Sequence, residues 1–265
     1  MATGSGDAVL VTEPGPGIRL LTLNRPRLRN AMTGEMTEAW DRALDAVAAD
    51  EDVRVVVVTG EGTTFCAGAD LSWFDEGSPA ELTADRLRRR MLPFYRSWLR
   101  PRELPVPVLA AIDGPVLGAG VCLALACDLR YATPGASFGT SFLELGLHGG
   151  MGATWLLPEA IGIARAREML YTGREVGAEE ALSWALVNGV TANVLDDVLA
   201  IAAQIAAAGP VAVRLTKTGL EHAAGGLEAA LRWESLAQPV TMTTADLREA
   251  IEARRERRPP SFGGR

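Results

Sequence analysis

The chain has 265 residues, of which 48% are hydrophobic and 22% are charged, and its formal net charge is -7. A net acidic chain without a basic low-complexity tail is a poor candidate for nucleic-acid binding, and no apolar run approaches the roughly 18 residues that a membrane span needs. Three cysteines are too few for a disulfide framework, and two histidines argue against a histidine-built metal site. Because the first residues have the features of neither a signal peptide nor a transit peptide, we expect a cytoplasmic protein.

Strand-like and helix-like segments alternate along the first two thirds of the chain. Residues 18–23 and 53–59 are predicted strands, and the second is apolar on both faces, as in a strand that is buried on both sides. Between them, apolar residues recur at steps of three and four, which predicts an amphipathic helix. Its apolar positions are Met36, Ala39, Trp40, Ala43, Leu44 and Val47.

The same alternation continues with strands at 107–112 and 128–132 and a small-residue helix at 117–126 between them. Strands that alternate with helices indicate an α/β fold with parallel pairing. Beyond about residue 155 we expect helices and no further strands. The predicted helices are 178–187, 194–208, 210–223 and 227–238, which form a helical C-terminal extension of one α/β domain.

Two glycine-rich segments, 65–71 and 114–121, each follow a buried strand. Small residues let a ligand approach the backbone closely and leave amide N–H groups free to donate. In the second segment, Gly118, Ala119 and Gly120 are predicted to begin a helix, where N–H groups are unpaired and the helix dipole is positive. Two such segments could form an oxyanion hole, although each alone is more typical of a tight turn. Neither has the spacing of a P-loop or of a dinucleotide-binding motif.

These segments, with others in the same order along residues 8 to 265, resemble the enoyl-CoA hydratase/isomerase (crotonase) family. The further matching motifs are Leu21–Pro26 with Asn30–Met32, Ala126–Arg130, Gly146–Leu147 with Gly149–Gly152, Thr172–Arg174 with Ala178–Ala181, and Arg257–Phe262. The resemblance implies an α/β crotonase-like spiral of ββα units with a helical C-terminal trimerisation region. We place the spiral core in residues 1–200 and the helical region in 201–265, as parts of one functional unit.

The ligand that the resemblance implies is an acyl-CoA thioester, whose carbonyl oxygen would lie between the backbone N–H groups of Ala69 and Ala119. Coenzyme A would be part of the substrate, with no prosthetic group and no metal, and the partner would be further copies in a homo-trimer or hexamer. The residues implied to line the ligand are Arg27, Leu28, Asn30, Ala67, Gly68, Asp70, Leu71, Gly118, Gly120, Phe142 and Phe262. Phe262 would act near the pantetheine arm, often in a neighbouring subunit.

The chain departs from the family's hydratases at both catalytic glutamates, whose positions are taken by Cys122 and Phe142. Hydration of a double bond needs a base for the water and an acid for the α-carbon, so another group would have to serve. Glu144 is the first candidate, because along a strand it would share the face of Phe142 and burial would raise its pKa. An exposed or ion-paired glutamate is an equally good reading. His148 is the second candidate.

Two segments leave alternatives open. Asp75 or Glu76, in the variable segment, could fold over the pocket. A predicted helix with the apolar residues Met91, Phe94, Tyr95 and Trp98 is expected to pack against the core, and it could also wall an acyl tunnel.

The function that the resemblance implies is that of an acyl-CoA enzyme that stabilises a thioester enolate, in fatty-acid or other acyl-CoA metabolism. The first alternative is a non-catalytic acyl-CoA binding protein, because both usual glutamates are absent. The second is a thioester hydrolase or decarboxylase on the same fold.

Overall fold

The computed structural model describes residues 7–70, 83–222 and 225–264, so the candidates Leu71, Asp75 and Glu76 lie outside the described residues. In chain order the elements are β1 (Val9–Gly15), β2 (Ile18–Leu23), α1 (Gly34–Ala49), β3 (Val55–Gly60), α2 (Ala84–Leu99), β4 (Val108–Ile112), β5 (Val116–Leu117), α3 (Ala119–Ala126), β6 (Leu129–Ala132), β7 (Ser137–Gly139), α4 (Ala153–Thr172), β8 (Val176–Gly177), α5 (Ala178–Ser183), β9 (Gly189–Val190), α6 (Val194–Ala206), α7 (Pro210–His222), α8 (Leu227–Met242) and α9 (Ala245–Glu256).

The main sheet has six strands in the order β1-β2-β3-β4-β6-β9. β1 is antiparallel to β2, and the remaining neighbours are parallel, as the alternation of strands and helices predicts. β3 is apolar on both faces because both faces are covered. Val56 and Val58 belong to the larger core, whereas Val55 and Val57 pack in a second core under α6.

The predicted stripe of α1 is confirmed, since all six of its apolar positions are buried. The helix begins after Thr33, whose hydroxyl accepts a hydrogen bond from the N–H of Met36 at 3.1 Å. Trp40 stacks on Trp98 of α2 with ring centroids 5.1 Å apart. The apolar face predicted for α2 is therefore also confirmed, and it seals the larger core.

The short strands were not predicted. β5 pairs with β7, and β7 pairs with β8, in a separate three-stranded sheet. The helix predicted to start at residue 117 therefore starts at Ala119, because Val116 and Leu117 belong to β5. The expectation of no strands beyond residue 155 is wrong, since β8 and β9 each have two residues. Two residues are too few to show alternating polarity in a sequence. β1 was not predicted either.

The C-terminal helices are attached to the sheet by buried contacts. The boundary placed at residue 200 falls inside α6, and Val198 and Ala202 of this helix pack on the sheet. Lys217 of α7 is buried, and its Nζ donates to Pro101 O at 3.1 Å and Val106 O at 2.9 Å while it ion-pairs with Asp128 at 2.9 Å. α7 is thereby fixed to the connection between α2 and β4.

Candidate active site

The first glycine-rich loop leaves β3 and is held in place by Asn30. The Asn30 side chain is fully buried and accepts from Arg25 N at 2.9 Å. It donates to Glu61 O at 3.0 Å and to Thr64 O at 2.7 Å. The buried amide thus joins the turn before α1 to the loop after β3, and it holds the protein together there rather than facing a ligand.

The second glycine-rich loop leaves β4, and two glycines let it approach the first loop closely. A Cβ placed on Gly68 would lie 2.6 Å from Leu117 O and 3.1 Å from Ala119 N, and one placed on Gly120 would lie 2.5 Å from Cys66 O. Gly68 also has a φ of 90°, which disfavours a side chain. Glycine is therefore required on both sides of this contact, and the predicted proximity of the loops is present.

The backbone N–H groups of Ala69 and Ala119 lie in this contact region. Ala119 begins α3 after Gly118, whose own N–H donates to Gly139 O at 2.8 Å. Within the part of the chain that the structure describes, neither the Ala69 N–H nor the Ala119 N–H donates to a protein acceptor. Two free donors on adjacent loops, one at the positive end of a helix, can bind an oxygen that carries negative charge.

The positions of the two missing glutamates hold apolar or neutral groups. The Phe142 ring lies over Gly118, where a Cβ would be 3.9 Å from its Cε1. Cys122 is buried on α3, and burial raises the pKa of its thiol to about 12, so the thiol stays neutral. Its Sγ donates to Gly150 O at 3.6 Å. Neither side chain can replace a carboxylate.

The strand predicted to place Glu144 beside Phe142 is wrong. Residues 143–145 form a 3-10 turn, and Glu144 is exposed with its carboxylate beside Gly173. In a strand, side chains two residues apart point to the same face, whereas in this turn they do not. His148 is also exposed, in the irregular segment that leads to α4. The structure therefore buries neither candidate beside the N–H pair.

A polar group that the sequence interpretation overlooked lies between these elements. The Tyr95 hydroxyl accepts a hydrogen bond from Met151 N–H, and a Cβ on Gly150 would lie 2.6 Å from the hydroxyl oxygen. The spacing of apolar residues predicts Tyr95 only as part of an apolar helix face. Its hydroxyl lies near Cys122, and the tertiary fold creates this proximity, so the sequence alone carried no signal for it.

The other residues implied to line the ligand are spread over the two loops and beyond. Arg27 and Leu28 are exposed beside the Asn30 turn, and Ala67 and Asp70 are half-buried in the first loop. Phe262 lies elsewhere, because its carbonyl accepts from Arg54 at 2.9 Å.

Arg54 precedes β3, whereas the first loop follows it, about 20 Å away along the strand. Phe262 thus does not line the site of its own chain, and a role for it in a neighbouring subunit stays a prediction.

The described residues were also compared with what a metal site and a membrane span require. Among the described residues, no cluster of three or more histidine, cysteine, aspartate or glutamate side chains could hold a metal ion. In the same ranges, no single helix is long and apolar enough to cross a membrane. The pair Val194–Ala206 and Pro210–Leu220 passes that test together only across a bend of 108°.

The fold and the paired loops define an α/β protein with a site between two strand exits, and comparisons identify its family. A family model described as enoyl-CoA hydratase/isomerase matches residues 13–265. A protein of Bacillus subtilis strain 168 described as an enoyl-CoA hydratase/isomerase, YngF, is 38% identical over 98% of this chain and 99% of its own length. EchA12 of Mycobacterium tuberculosis H37Rv, described as an enoyl-CoA hydratase, is 40% identical over 96% of this chain and 92% of its own.

Solved structures agree with this assignment. The crystal structure of an enoyl-CoA hydratase from Bacillus anthracis matches with a TM-score of 0.90 at 34% identity, over 97% of this chain and 100% of that one. A structure of an enoyl-CoA hydratase/isomerase from Mycobacterium abscessus matches with a TM-score of 0.87 at 37% identity, over 97% and 99%. The chain belongs to the enoyl-CoA hydratase/isomerase family, and the crotonase-like fold is confirmed.

Proposed function

We propose that the protein is an enzyme that acts on acyl-CoA thioesters by stabilising a thioester enolate. The observation that carries this proposal is the pair of free N–H groups on Ala69 and Ala119, on loops that Gly68 and Gly120 allow to touch. When a thioester loses its α-proton, negative charge develops on the carbonyl oxygen. Each preorganised donor to such an oxygen is worth on the order of 10²–10³ in rate. Family membership supports a CoA thioester as the ligand.

The first experiment measures proton exchange directly. The protein is incubated in D₂O with saturated acyl-CoAs from acetyl to dodecanoyl and with the matching 2-enoyl-CoAs, and the products are analysed by mass spectrometry. We expect deuterium at the α- or γ-carbon, or the addition of one water. Release of free CoA or of CO₂ would instead identify the hydrolase or decarboxylase reaction.

Ala119→Pro tests the N–H pair itself. Ala119 is the first residue of α3, a position where proline fits a helix while it removes the N–H group. We expect exchange to fall by about 10²-fold or more. The control is Ala245→Pro, an exposed residue at the same position of α9, and it should leave the exchange rate unchanged. Full activity of Ala119→Pro would contradict the proposal.

A non-catalytic acyl-CoA binder is the second candidate, and one observation favours it. Both glutamate positions hold groups that stay uncharged, the buried Cys122 thiol and the Phe142 ring. A binder would take up acyl-CoA with an affinity that Ala119→Pro weakens, and it would return every thioester in D₂O unlabelled.

We also propose that the chain works as a homo-trimer or hexamer, in fatty-acid or other acyl-CoA metabolism in the cytoplasm. Support for self-association comes from the last helices. α8 has no buried residue, although it carries several large apolar side chains. A helix of this composition normally covers its apolar side chains.

A further inference from the structure

Because Glu144 is exposed, the site needs another side chain that can give a proton to the substrate or take one from it. A replacement should be polar, partly buried and close to the N–H pair of Ala69 and Ala119. It should also have a neighbour that stabilises its charged form. Of the described groups around the second loop, the Tyr95 hydroxyl meets these requirements.

Contacts with the core and with Gly150 fix where the Tyr95 hydroxyl lies. Tyr95 is half-buried on α2 and packs against the larger core, as Ala69 and Phe142 also do. Its hydroxyl approaches the backbone of Gly150, whose carbonyl accepts from Cys122. Cys122 and Gly150 therefore place the hydroxyl beside α3.

α3 links this hydroxyl to the N–H pair. Cys122 lies three residues after Ala119, which is about one helical turn or 5 Å along the axis. Cys122 occupies one of the two positions where the hydratases of this family have a catalytic glutamate. The Tyr95 hydroxyl thus stands next to the position where that carboxylate is absent.

The surroundings of Tyr95 suit proton donation. Burial raises the pKa of Tyr95 above its ordinary value of 10.0, so the hydroxyl carries its proton at pH 7. Once the proton has left, the Met151 N–H donates to the phenolate oxygen. Of the described groups, Cys122 on α3 is the titratable side chain that faces the hydroxyl, and its thiol is neutral; the turn before α4 contributes backbone groups from Gly150 and Met151.

We propose that Tyr95 is a catalytic residue that exchanges a proton with the α-carbon of the acyl-CoA, an inference that rests on the proposed function. In one direction the enolate electrons form a C–H bond at the α-carbon, the Tyr95 O–H bond breaks, and its electron pair remains on the phenolate oxygen. In the other direction the phenolate takes the α-proton, and the C–H electron pair becomes the enolate held by Ala69 and Ala119. In D₂O the hydroxyl exchanges with solvent while the enolate is held, so a deuteron returns.

The test compares α-deuteration of the saturated acyl-CoA panel by wild type and Tyr95→Phe. We expect the variant to be at least 10²-fold slower, with acyl-CoA affinity within threefold of wild type. Tyr131→Phe is the matched control, because Tyr131 of β6 packs against Gly189 of β9, and the rate of this variant should stay within twofold of wild type.

A second variant leaves Tyr95 in place and displaces its hydroxyl. Gly150→Ala puts a methyl group 2.6 Å from the hydroxyl oxygen, so the ring must shift. We expect a loss of tenfold or more, whereas Gly177→Ala, where a Cβ meets nothing within 4 Å, should be unaffected. If thermal unfolding shows that Tyr95→Phe does not fold, Gly150→Ala decides the question.

The pH profile separates a tyrosine from a carboxylate. The phenolate fraction grows about tenfold per pH unit below the pKa, so wild-type exchange should rise about tenfold per unit between pD 7 and 9. A carboxylate base would give a flat profile there.

Exchange by Tyr95→Phe within threefold of wild type, while Ala119→Pro has lost exchange, would overturn the Tyr95 role and leave the proposed function standing. A 10²-fold loss in Glu144→Gln or His148→Asn together with an active Tyr95→Phe would overturn it in favour of those residues. Absence of exchange in wild-type protein that binds the panel would overturn both proposals.

Discussion

Asn30 shows how one buried amide sets the backbone around a ligand site. It has a φ of 52°, in the left-handed region that asparagine adopts more readily than most residues. Its three hydrogen bonds join the turn before α1 to the loop after β3. Two backbone hydrogen bonds also connect this turn to the first glycine-rich loop. Ala67 N donates to Arg29 O at 2.9 Å, and Met32 N donates to Gly68 O at 2.8 Å. The position of Ala69 therefore depends on a residue whose side chain is buried and bonded to the backbone.

Asn30→Ala should destabilise the fold and loosen the site together. It leaves Arg25 N, Glu61 O and Thr64 O without partners, and a buried group left unpaired costs about 1–3 kcal/mol. We expect the free energy of unfolding to fall by about 3 kcal/mol in urea denaturation, and acyl-CoA affinity to weaken. Asn24→Ala is the control, because Asn24 makes an exposed bond to Asp7 O and should change stability little. Equal stability of Asn30→Ala and wild type would contradict this account.

Some helices and strands of this fold are determined by their own residues, and others depend on distant parts of the chain. α1 and β3 were predictable, because the apolar stripe of a helix and the apolar run of a doubly buried strand are visible in the 16 and 6 consecutive residues of these elements. β8 and β9 were not, because a two-residue strand exists only where a distant strand pairs with it.

The candidate site divides in the same way. The N–H pair of Ala69 and Ala119 was implied by the family resemblance that the two glycine-rich motifs help to carry. Tyr95, in contrast, comes from α2 and reaches the turn before α4 only through the tertiary fold. The strand prediction misplaces Glu144, because residues 143–145 form a 3-10 turn.

The C-terminal tail is an element held by electrostatics, and its docking should depend on pH. Glu249 of α9 ion-pairs with Arg258 and accepts from Ser261 N at 2.9 Å. These contacts lower the pKa of Glu249 to about 2, from 4.5 for the free group. A carboxylate with a depressed pKa contributes stability that is complete above 4.5 and is lost as the pH falls toward 2.

We therefore expect the backbone amides of residues 261–264 to lose protection between pH 4.5 and pH 2, measured by hydrogen exchange with correction for the intrinsic pH dependence. Glu249→Gln should show reduced protection at pH 6 already. Glu228→Gln is the control, because its ion pair with Arg232 lies within one exposed helix and holds no tail. Unchanged tail protection at pH 2 in wild type would show that Glu249 does not hold it.

At the scale of the whole molecule, α8 is the element that a single chain leaves uncovered. Leu227 is 76% exposed and Leu236 is 72% exposed, and Leu231 and Val240 are half exposed. At 100° per residue, Leu227 and Leu231 lie on one side of the helix and Leu236 and Val240 on the opposite side. One packed face therefore cannot cover both pairs.

Apolar side chains on two sides of one helix are stabilised when neighbouring copies cover them, and each buried leucine gains about 1.5–3 kcal/mol. Light scattering should therefore give a mass three or six times 28.1 kDa for the wild type. Leu231→Glu with Leu236→Glu should give 28.1 kDa, because a buried carboxylate in an apolar interface is costly. Val11→Glu, at an exposed position of β1, should keep the wild-type mass. A wild type that stays at 28.1 kDa over all concentrations would show that α8 is not a contact between copies, and it would contradict the proposed oligomer. The proposal for the Ala69 and Ala119 N–H pair would stand, because both groups belong to one chain.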